Sequence, residues 1–182
     1  MEIAKINSEW TLFLDRDGVI NKKIDNDYVK QISEFEFLPN ALKAIVSFSK
    51  IFGRIIVVTN QQGIGKGLMG AKDLELVHHH LCDAVSNAGG KIDAVYYAPQ
   101  LAKENSILRK PNIGMGSKAK EDFPEIDFNK SIMVGDSFSD IEFGKKLKMK
   151  TVFISEKELE GSVCLPSLWQ LKELIENNST AL

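Results

Sequence analysis

The stretch Thr11-Leu12-Phe13-Leu14-Asp15-Arg16-Asp17-Gly18-Val19-Ile20-Asn21 decides the fold of this chain. Its apolar first half predicts a buried β-strand, and Gly18 allows the backbone to turn sharply out of that strand. Asp15 and Asp17 follow at the strand end, where their carboxylates repel each other unless a cation or a proton lies between them. Ligands of open α/β sheets bind beyond the carboxyl ends of the strands. We therefore expect these two acids to belong to a functional site.

The rest of the chain alternates between strand-like and helix-like segments. A first helix is predicted to begin at an Asn40 N-cap, and a last helix at a capping box formed by Ser167 and Gln170. This alternation indicates an α/β fold with a parallel sheet covered on both faces. The longest connection, residues 21–38, is too short for a large cap domain, so we expect residues 1–182 to form one domain. Strands are predicted at residues 10–14, 54–59, 92–97, 131–134 and 151–154, and the other helices at residues 73–88, 113–122 and 138–147.

Composition restricts the class of partner. The net charge of −2 gives no global field that would attract nucleic acid or an acidic membrane. No apolar stretch is long enough to cross a bilayer, and the N-terminus lacks the apolar core of a secretory signal. Cys82 and Cys164 are isolated in the sequence, which is typical of a reducing compartment. We expect a cytoplasmic protein, monomeric or a small homo-oligomer, that binds neither nucleic acid nor membrane.

Three further segments place polar side chains at the ends of predicted strands or at a helix start. They are Thr59-Asn60-Gln61-Gln62, Arg109-Lys110 and Gly135-Asp136-Ser137-Phe138-Ser139-Asp140. Each segment has an ordinary alternative. Thr59 could cap a helix, and Lys110 could be a solvated surface charge. Asp136 and Asp140 could be an N-cap and a first-turn acid favoured by the helix dipole. Their shared position, on the carboxyl side of the strands, favours a single site.

These residue types match the needs of phosphoryl transfer, which requires a nucleophile, a proton donor and cations around the phosphoryl oxygens. Asp15 could act as the nucleophile, since carboxylates form aspartyl-phosphates. Asp17 could protonate the leaving oxygen and later deprotonate water. Asp15 and Asp136 could share one Mg²⁺, a hard cation that takes oxygen ligands. Thr59 and Lys110 would donate hydrogen bonds to the phosphoryl oxygens.

With these four motifs in this order, the chain resembles the haloacid dehalogenase (HAD) superfamily over nearly its whole length. The resemblance implies a Rossmann-like three-layer sandwich with a central, mostly parallel sheet of five to six strands and no large cap domain. The catalytic residues that it implies are Asp15 as nucleophile, Asp17 as acid and base, and Thr59 and Lys110 as phosphoryl contacts. The Mg²⁺ ligands that it implies are the Asp15 carboxylate, the Asp17 backbone carbonyl and Asp136, with Asp140 in support.

Within that superfamily, the chain is similar to the D-glycero-D-manno-heptose-1,7-bisphosphate phosphatases and to the related histidinol-phosphate phosphatases. The segments that carry this similarity are residues 13–21, 28–29, 36–39, 58–67, 96–99 and 109–111. The substrate contacts that it implies are Asp25, Asn26, Asp27, Tyr28, Asn60, Gln61, Gln62 and Arg109. The implied activity is a Mg²⁺-dependent phosphomonoesterase that acts through an aspartyl-phosphate on a small phosphorylated metabolite, such as heptose 1,7-bisphosphate. Histidinol phosphate is the alternative substrate, and a non-catalytic binding protein on this fold is the alternative class.

The chain departs from that family at two places. Members usually hold a structural zinc ion with cysteines and a histidine in the loop before the Arg-Lys-Pro motif. Here residues 98–108 contain neither residue type, so we expect no zinc and a shorter, differently ordered loop. Ser137 stands where the heptose enzymes commonly have lysine, so we expect one positive charge near the site to be lost.

A run of three histidines, His78-His79-His80, suggests a metal site at first sight. On a helix, however, consecutive residues point about 100° apart, so three in a row cannot converge on one ion. We expect all three to lie on or beside the solvent face.

Overall fold

One six-stranded sheet forms the centre of the molecule in the computed structural model, which describes residues 6–157, 159 and 163–179. The strands are β1 Thr11–Leu14, β2 Arg54–Asn60, β3 Ala94–Ala98, β4 Ser131–Gly135, β5 Lys150–Ile154 and β6 Val163–Leu165. Their order in the sheet is β3-β2-β1-β4-β5-β6, and every neighbouring pair is parallel. β1 lies between β2 and β4, so the strand ends that carry the candidate site are neighbours.

Among the described residues, four α-helices connect the strands and a fifth follows β6. They are α1 Ala41–Phe48, α2 Ala71–Asn87, α3 Gly114–Asp122, α4 Phe138–Lys146 and α5 Leu168–Ser179. Short 3-10 helices lie at Ile32–Glu34, Ala102–Glu104 and Phe128–Lys130. No helix in the described ranges is long and apolar enough to cross a bilayer.

The helices cover both faces of the sheet because alternate strand residues point to opposite faces. In β1, Leu12 and Leu14 pack into the core beneath α1, α2 and α5, whereas Phe13 packs beneath α3 and α4. All three side chains are completely buried, and burial of each contributes about 1.5–3 kcal/mol. The predicted α/β three-layer architecture is therefore confirmed, and the sheet is wholly parallel.

Three details differ from the sequence-based expectations or refine them. β6 was not predicted, since it has only three residues and none of them is buried. Asn40 precedes α1 in a left-handed conformation, with a φ of 59°, and its side chain makes no capping hydrogen bond. At the start of α5, the Ser167 hydroxyl contacts the Gln170 side chain and accepts a hydrogen bond from the backbone N–H of Trp169 at 3.1 Å.

The connection between β1 and α1 folds over the carboxyl ends of the strands as a small flap. Within it, Asn21 forms isolated bridges with Asp17 and Phe37, and the only helix is the 3-10 turn at Ile32–Glu34. The flap is therefore a loop without a separate domain, as expected for residues 21–38. Its first half, residues 22–30, borders the candidate site.

Candidate active site

The carboxyl ends of β1, β2 and β4 meet at a cavity of about 430 Å³. Most of the residues that the sequence placed in the site line this cavity: Asp15, Asp17, Asn26, Asp27, Tyr28, Thr59, Asn60, Gln62, Arg109, Lys110, Asp136 and Asp140. Two of the expected substrate contacts do not. Asp25 is exposed and lies outside the lining, and Gln61 is fully buried behind it. The four motifs therefore form one site, as their order suggested.

Lys110 lies at the bottom of the site between two carboxylates. Its Nζ is 2.6 Å from Asp15 Oδ1 and 2.6 Å from Asp140 Oδ1, and it also donates to the Val58 carbonyl at 2.6 Å. Burial favours the neutral amine, but the charges of Asp140 and Asp15 keep the pKa of Lys110 above its usual value. Lys110 is therefore a fixed positive charge beside Asp15.

Asp15 remains short of positive charge in spite of this ion pair. Burial raises its pKa to about 7, Lys110 opposes the rise, and the nearby carboxylates of Asp140, Asp136 and Asp17 add to it. The pKa of Asp136 is also raised, chiefly by burial. Both shifts mean that the ionised carboxylates are poorly compensated by the protein alone.

The donor set at this point suits a hard divalent cation. Carboxylate oxygens of Asp15, Asp136 and Asp140 lie within 4.8 Å of one another. Two lysine ammonium groups share these three carboxylates, since Lys23 Nζ is 2.8 Å from Asp136 Oδ2 and Lys110 contacts the other two. Clustered carboxylate oxygens are the ligands that Mg²⁺ takes in proteins. The residues present therefore fit a magnesium ion held between Asp15 and Asp136.

Asp17 lies in a very different environment, although it is only two residues from Asp15. Burial alone would raise its pKa, but the Arg16 charge and hydrogen bonds from Asn21, Arg16 and Gln61 hold that pKa below its usual value. Asn21 Nδ2 donates to Oδ1 at 2.9 Å, and Gln61 Nε2 donates to Oδ2 at 2.7 Å. Gln61 therefore contacts the Asp17 carboxylate rather than the cavity.

The end of β2 fixes the positions of two other site residues. Gln61 Nε2 donates to Thr59 Oγ1 at 2.9 Å, which leaves the Thr59 hydroxyl proton to donate elsewhere. Asn60 and Lys110 exchange two hydrogen bonds, from Asn60 Nδ2 to the Lys110 carbonyl at 3.1 Å and from the Lys110 N–H to Asn60 Oδ1 at 3.0 Å. This pair joins β2 to the segment that carries Lys110.

Two loops form the rim of the cavity. The flap contributes Tyr28, whose ring lies 5.2 Å from Lys66 Nζ of the loop after β2. The rim loop, residues 98–108, leads to Arg109, which is half-buried and donates to the Gln100 carbonyl at 3.4 Å. Lys66 and Arg109 both line the cavity and give its outer part a positive character.

Side-chain hydrogen bonds organise the rim loop. Asn112 Nδ2 donates to Asn105 Oδ1 at 3.1 Å and to the Ser106 carbonyl at 3.0 Å. The Gln62 side chain accepts from the Ala102 N–H at 3.3 Å. The loop contains a 3-10 turn at Ala102–Glu104. The amide of Asn112, which lies just before α3, thus connects the middle of the rim loop to the start of that helix.

The structure corrects a further expectation and adds residues that the sequence analysis missed. His78 does not lie at the solvent face, because only 6% of it is exposed and its ring contacts Arg16. Lys23, on the flap, was also missed, and its Nζ lies 2.8 Å from Asp136 Oδ2. Arg16, flanked by the two acids, gave no sequence signal for complete burial, since arginine is rarely buried unless it is paired.

Comparison with known proteins shows the family to which the chain belongs. Residues 11–156 match the model of the polynucleotide kinase 3 phosphatase family. A D-glycero-alpha-D-manno-heptose-1,7-bisphosphate 7-phosphatase of Mycobacterium bovis is 39% identical over 177 residues, which cover 93% of each chain. A D-glycero-beta-D-manno-heptose-1,7-bisphosphate 7-phosphatase of Pseudomonas aeruginosa is 34% identical over 143 residues, which cover 79% of each chain.

A solved structure agrees with the sequence matches. The D,D-heptose 1,7-bisphosphate phosphatase of B. bronchiseptica, crystallised with magnesium and phosphate, superposes with a TM-score of 0.84 at 26% identity. The match covers 92% of this chain and 98% of that one. Because the family model spans most of the chain and the M. bovis relative matches 93% of it at 39% identity, this protein belongs to the polynucleotide kinase 3 phosphatase family, among the HAD-superfamily phosphatases that include the heptose bisphosphate phosphatases.

Proposed function

We propose that this phosphatase hydrolyses a phosphomonoester in two steps through an aspartyl-phosphate on Asp15, with Mg²⁺ as its cofactor. One observation carries the proposal: Asp15, Asp17, Lys110 and Asp136 converge at the bottom of one cavity, beyond the carboxyl ends of adjacent parallel strands. A nucleophile, a proton-transfer group and fixed positive charge are the elements that phosphoryl transfer requires.

The first step transfers the phosphoryl group to the protein. The Asp15 carboxylate attacks phosphorus, and the bond from phosphorus to the ester oxygen breaks. Asp17 is ionised in the free protein, so it takes up a proton when the substrate binds and gives that proton to the ester oxygen, and the alcohol leaves neutral. Lys110 and Thr59 donate hydrogen bonds to the phosphoryl oxygens. In the second step Asp17 takes a proton from water as the water oxygen attacks phosphorus, which releases inorganic phosphate and restores the Asp15 carboxylate.

The metal would be held by the Asp15 and Asp136 carboxylates and by the Asp17 backbone carbonyl, with Asp140 in support. When bound, Mg²⁺ supplies positive charge that neutralises the phosphate and lowers the repulsion between the phosphate and Asp15. The raised pKa values of Asp15 and Asp136 support this assignment, because a cation at that point would restore both groups to the ionised form. No zinc requirement is proposed, since the rim loop carries no thiol or imidazole.

The substrate that we propose is D-glycero-D-manno-heptose 1,7-bisphosphate, cleaved at the 7-phosphate. The names of the relatives support this choice. An exocyclic phosphate can reach the bottom of a narrow cavity while the sugar ring remains near the mouth. Lys66 and Arg109 at the rim would then hold the second phosphate, and Asn26, Asp27, Tyr28, Asn60 and Gln62 line the space for the sugar.

The test is a substrate panel with Mg²⁺ and with EDTA. The panel contains the α and β anomers of heptose 1,7-bisphosphate, histidinol phosphate and an oligonucleotide with a 3′-phosphate. We expect the highest kcat/KM for one heptose anomer, loss of turnover in EDTA, and ³¹P NMR signals that show heptose 1-phosphate as product. Formation of heptose 7-phosphate, or a higher kcat/KM for histidinol phosphate, would overturn the substrate assignment.

A nucleic-acid 3′-phosphate is a second candidate because the matching family model is named for that activity. The net charge of −2 argues against it, since phosphate-backbone binding depends on clustered Lys and Arg. A kcat/KM for the oligonucleotide above that for both heptose anomers would establish this candidate instead.

We propose that the enzyme works in the cytoplasm as a monomer or a small homo-oligomer. The two cysteines do not form a disulfide, which agrees with a reducing compartment such as the cytoplasm. A monomer or a small homo-oligomer is consistent with a site built from the strand ends of a single chain.

A further inference from the structure

Arg16 stands between the two proposed catalytic acids in the sequence. Its side chain is completely buried and lines no part of the cavity. One edge of its guanidinium faces the Asp17 carboxylate. Nη2 lies 2.9 Å from Oδ1 and 3.0 Å from Oδ2, and Nε lies 3.3 Å from Oδ1. A planar guanidinium that meets a carboxylate in this way fixes the orientation of the carboxylate as well as its charge.

The other edge of the guanidinium meets a histidine. Arg16 Nη1 lies 3.1 Å from His78 Nε2, and His78 projects from α2, a helix that contributes no residue to the cavity. Because a guanidinium has donors and no acceptor, His78 Nε2 must be the acceptor. The ring is therefore neutral with its proton on Nδ1. Burial and the Arg16 charge favour this form, because they lower the pKa of His78 to about 3.

We propose that His78 is a positioning residue for general acid catalysis, acting through Arg16 on Asp17. The Nε2 lone pair of His78 anchors one edge of the guanidinium, and the other edge then sets the plane of the Asp17 carboxylate toward the leaving oxygen. Within the described residues, Arg16 is the only charged donor to Asp17, since the other two donors are the amides of Asn21 and Gln61. The inference rests on the proposed function, in which Asp17 protonates the ester oxygen.

The dependence of rate on the leaving group reports on this role. An alkoxide leaves only with a proton from Asp17, whereas a nitrophenolate leaves without one. Since kcat/KM covers the steps up to phosphoryl transfer, a misplaced acid lowers kcat/KM for alkyl esters much more than for p-nitrophenyl phosphate. A displacement of about 1 Å in a catalytic group can cost on the order of 100-fold in rate. General damage to the fold or to binding would lower both values equally.

The experiment compares His78→Leu, His78→Gln and His79→Leu across a series of phenyl and alkyl phosphates, with Mg²⁺ present. Leucine removes the acceptor, glutamine keeps an oxygen near the Nε2 position, and His79 is the exposed neighbour on the same helix. We expect His78→Leu to lose on the order of 100-fold for alkyl phosphates and less than about 3-fold for p-nitrophenyl phosphate. We expect His78→Gln and His79→Leu to follow the wild type. Equal losses in His78→Leu for both ester classes, or a His78→Gln variant that behaves like it, would overturn the inference.

Two further measurements separate the possible failures. Asp17→Asn tests the proposed function itself: if its loss is no larger for alkyl esters than for aryl esters, Asp17 is not the acid. If Asp17→Asn shows the selective loss and His78→Leu does not, only the inference about His78 fails. Should His78→Leu not fold, the ester series is run on His78→Ala, and ¹⁵N NMR of the wild-type imidazole tests the contact with Arg16, with a neutral Nδ1–H tautomer at pH 6 expected and a protonated or Nε2–H ring overturning the inference.

Discussion

Substitution of Gly18 by alanine tests whether the position of Asp136 controls metal binding. Gly18 has a φ of +86°, in the left-handed region, and a Cβ built there lies 2.2 Å from Asp136 Oδ2 and 2.7 Å from Asp136 Cγ. Ordinary contact begins at 3.4 Å, so the carboxylate must retreat by about 1.2 Å. The turn after β1 thus needs glycine for its backbone and for the space that Asp136 occupies.

Two separate costs follow from this geometry. The left-handed conformation costs alanine about 1–2 kcal/mol in the free energy of unfolding. The displacement of Asp136 adds a functional cost, because a shift of about 1 Å in an active-site group can lower activity on the order of 100-fold. We therefore expect Gly18→Ala to fold with reduced stability and to need roughly 10- to 100-fold more Mg²⁺ for half-maximal activity, the range by which disturbed metal sites lose affinity.

Gly89→Ala is the matched control. Gly89, just after α2, has a φ of +84°, and a Cβ there meets no atom within 4 Å. The control carries the same backbone cost without the contact to Asp136. Urea unfolding gives the stability of both variants, and Mg²⁺ titration of p-nitrophenyl phosphate turnover gives the metal requirement. Equal Mg²⁺ requirements in Gly18→Ala and Gly89→Ala would refute the link between Asp136 and the metal.

Three other substitutions test separate parts of the account. Lys110→Met leaves the Asp15 and Asp140 carboxylates buried without their cation. We expect the free energy of unfolding in urea to fall by about 3 kcal/mol and to recover in part when Mg²⁺ is added, and an unchanged value would contradict the ion-pair assignment. His78 is neutral in the folded protein but protonates below about pH 6.5 in the unfolded chain, so protonation favours unfolding as the pH falls. Between pH 6.5 and pH 5 the free energy of unfolding of the wild type should therefore fall by up to about 2 kcal/mol more than that of His78→Gln, and equal decreases would contradict the buried neutral state. Asn112→Ala removes the side-chain hydrogen bonds that hold the rim loop. We expect KM for the bisphosphate to rise about 10-fold and KM for p-nitrophenyl phosphate to change little, whereas equal changes in both would show that the loop does not select the substrate.

The strand ends could be predicted from the sequence because each is marked by a short, local pattern. The apolar run before Asp15, and the run before Asp136, end in residues that cannot be buried unpaired. Parallel strands then bring these ends to one edge of the sheet. The positions of Asp15, Asp17, Thr59 and Asp136 follow from this rule without any knowledge of tertiary contacts, whereas Lys110 lies near the start of α3 and not at a strand end.

The partners of Asp17 could not be predicted in the same way. His78 looked like a surface residue because its helix carries three consecutive histidines, and its burial depends on an arginine 62 positions away. The same applies to Lys23, which contacts Asp136 across 113 positions. Such polar pairs produce no periodic pattern in the sequence, because the partner that compensates the buried polar group comes from another secondary-structure element.

The edge of the sheet and the start of α1 show where local signals are weak. β6 has three residues, none of them buried, and too short a pattern to be distinguished from a loop. Asn40 has the residue type of an N-cap, but asparagine also tolerates the left-handed region, and the turn before α1 uses it for that purpose. Residue type alone does not separate these two uses.

The central claim is that Asp15 accepts the phosphoryl group. Rapid acid quenching of the Mg²⁺-loaded enzyme with a ³²P-labelled substrate, followed by peptide mapping, tests it most directly. The account predicts a hydroxylamine-sensitive phosphoryl group on the peptide that contains Asp15, and neither label nor turnover in a folded Asp15→Asn variant. Near-native turnover by Asp15→Asn, or label on another residue, would contradict it.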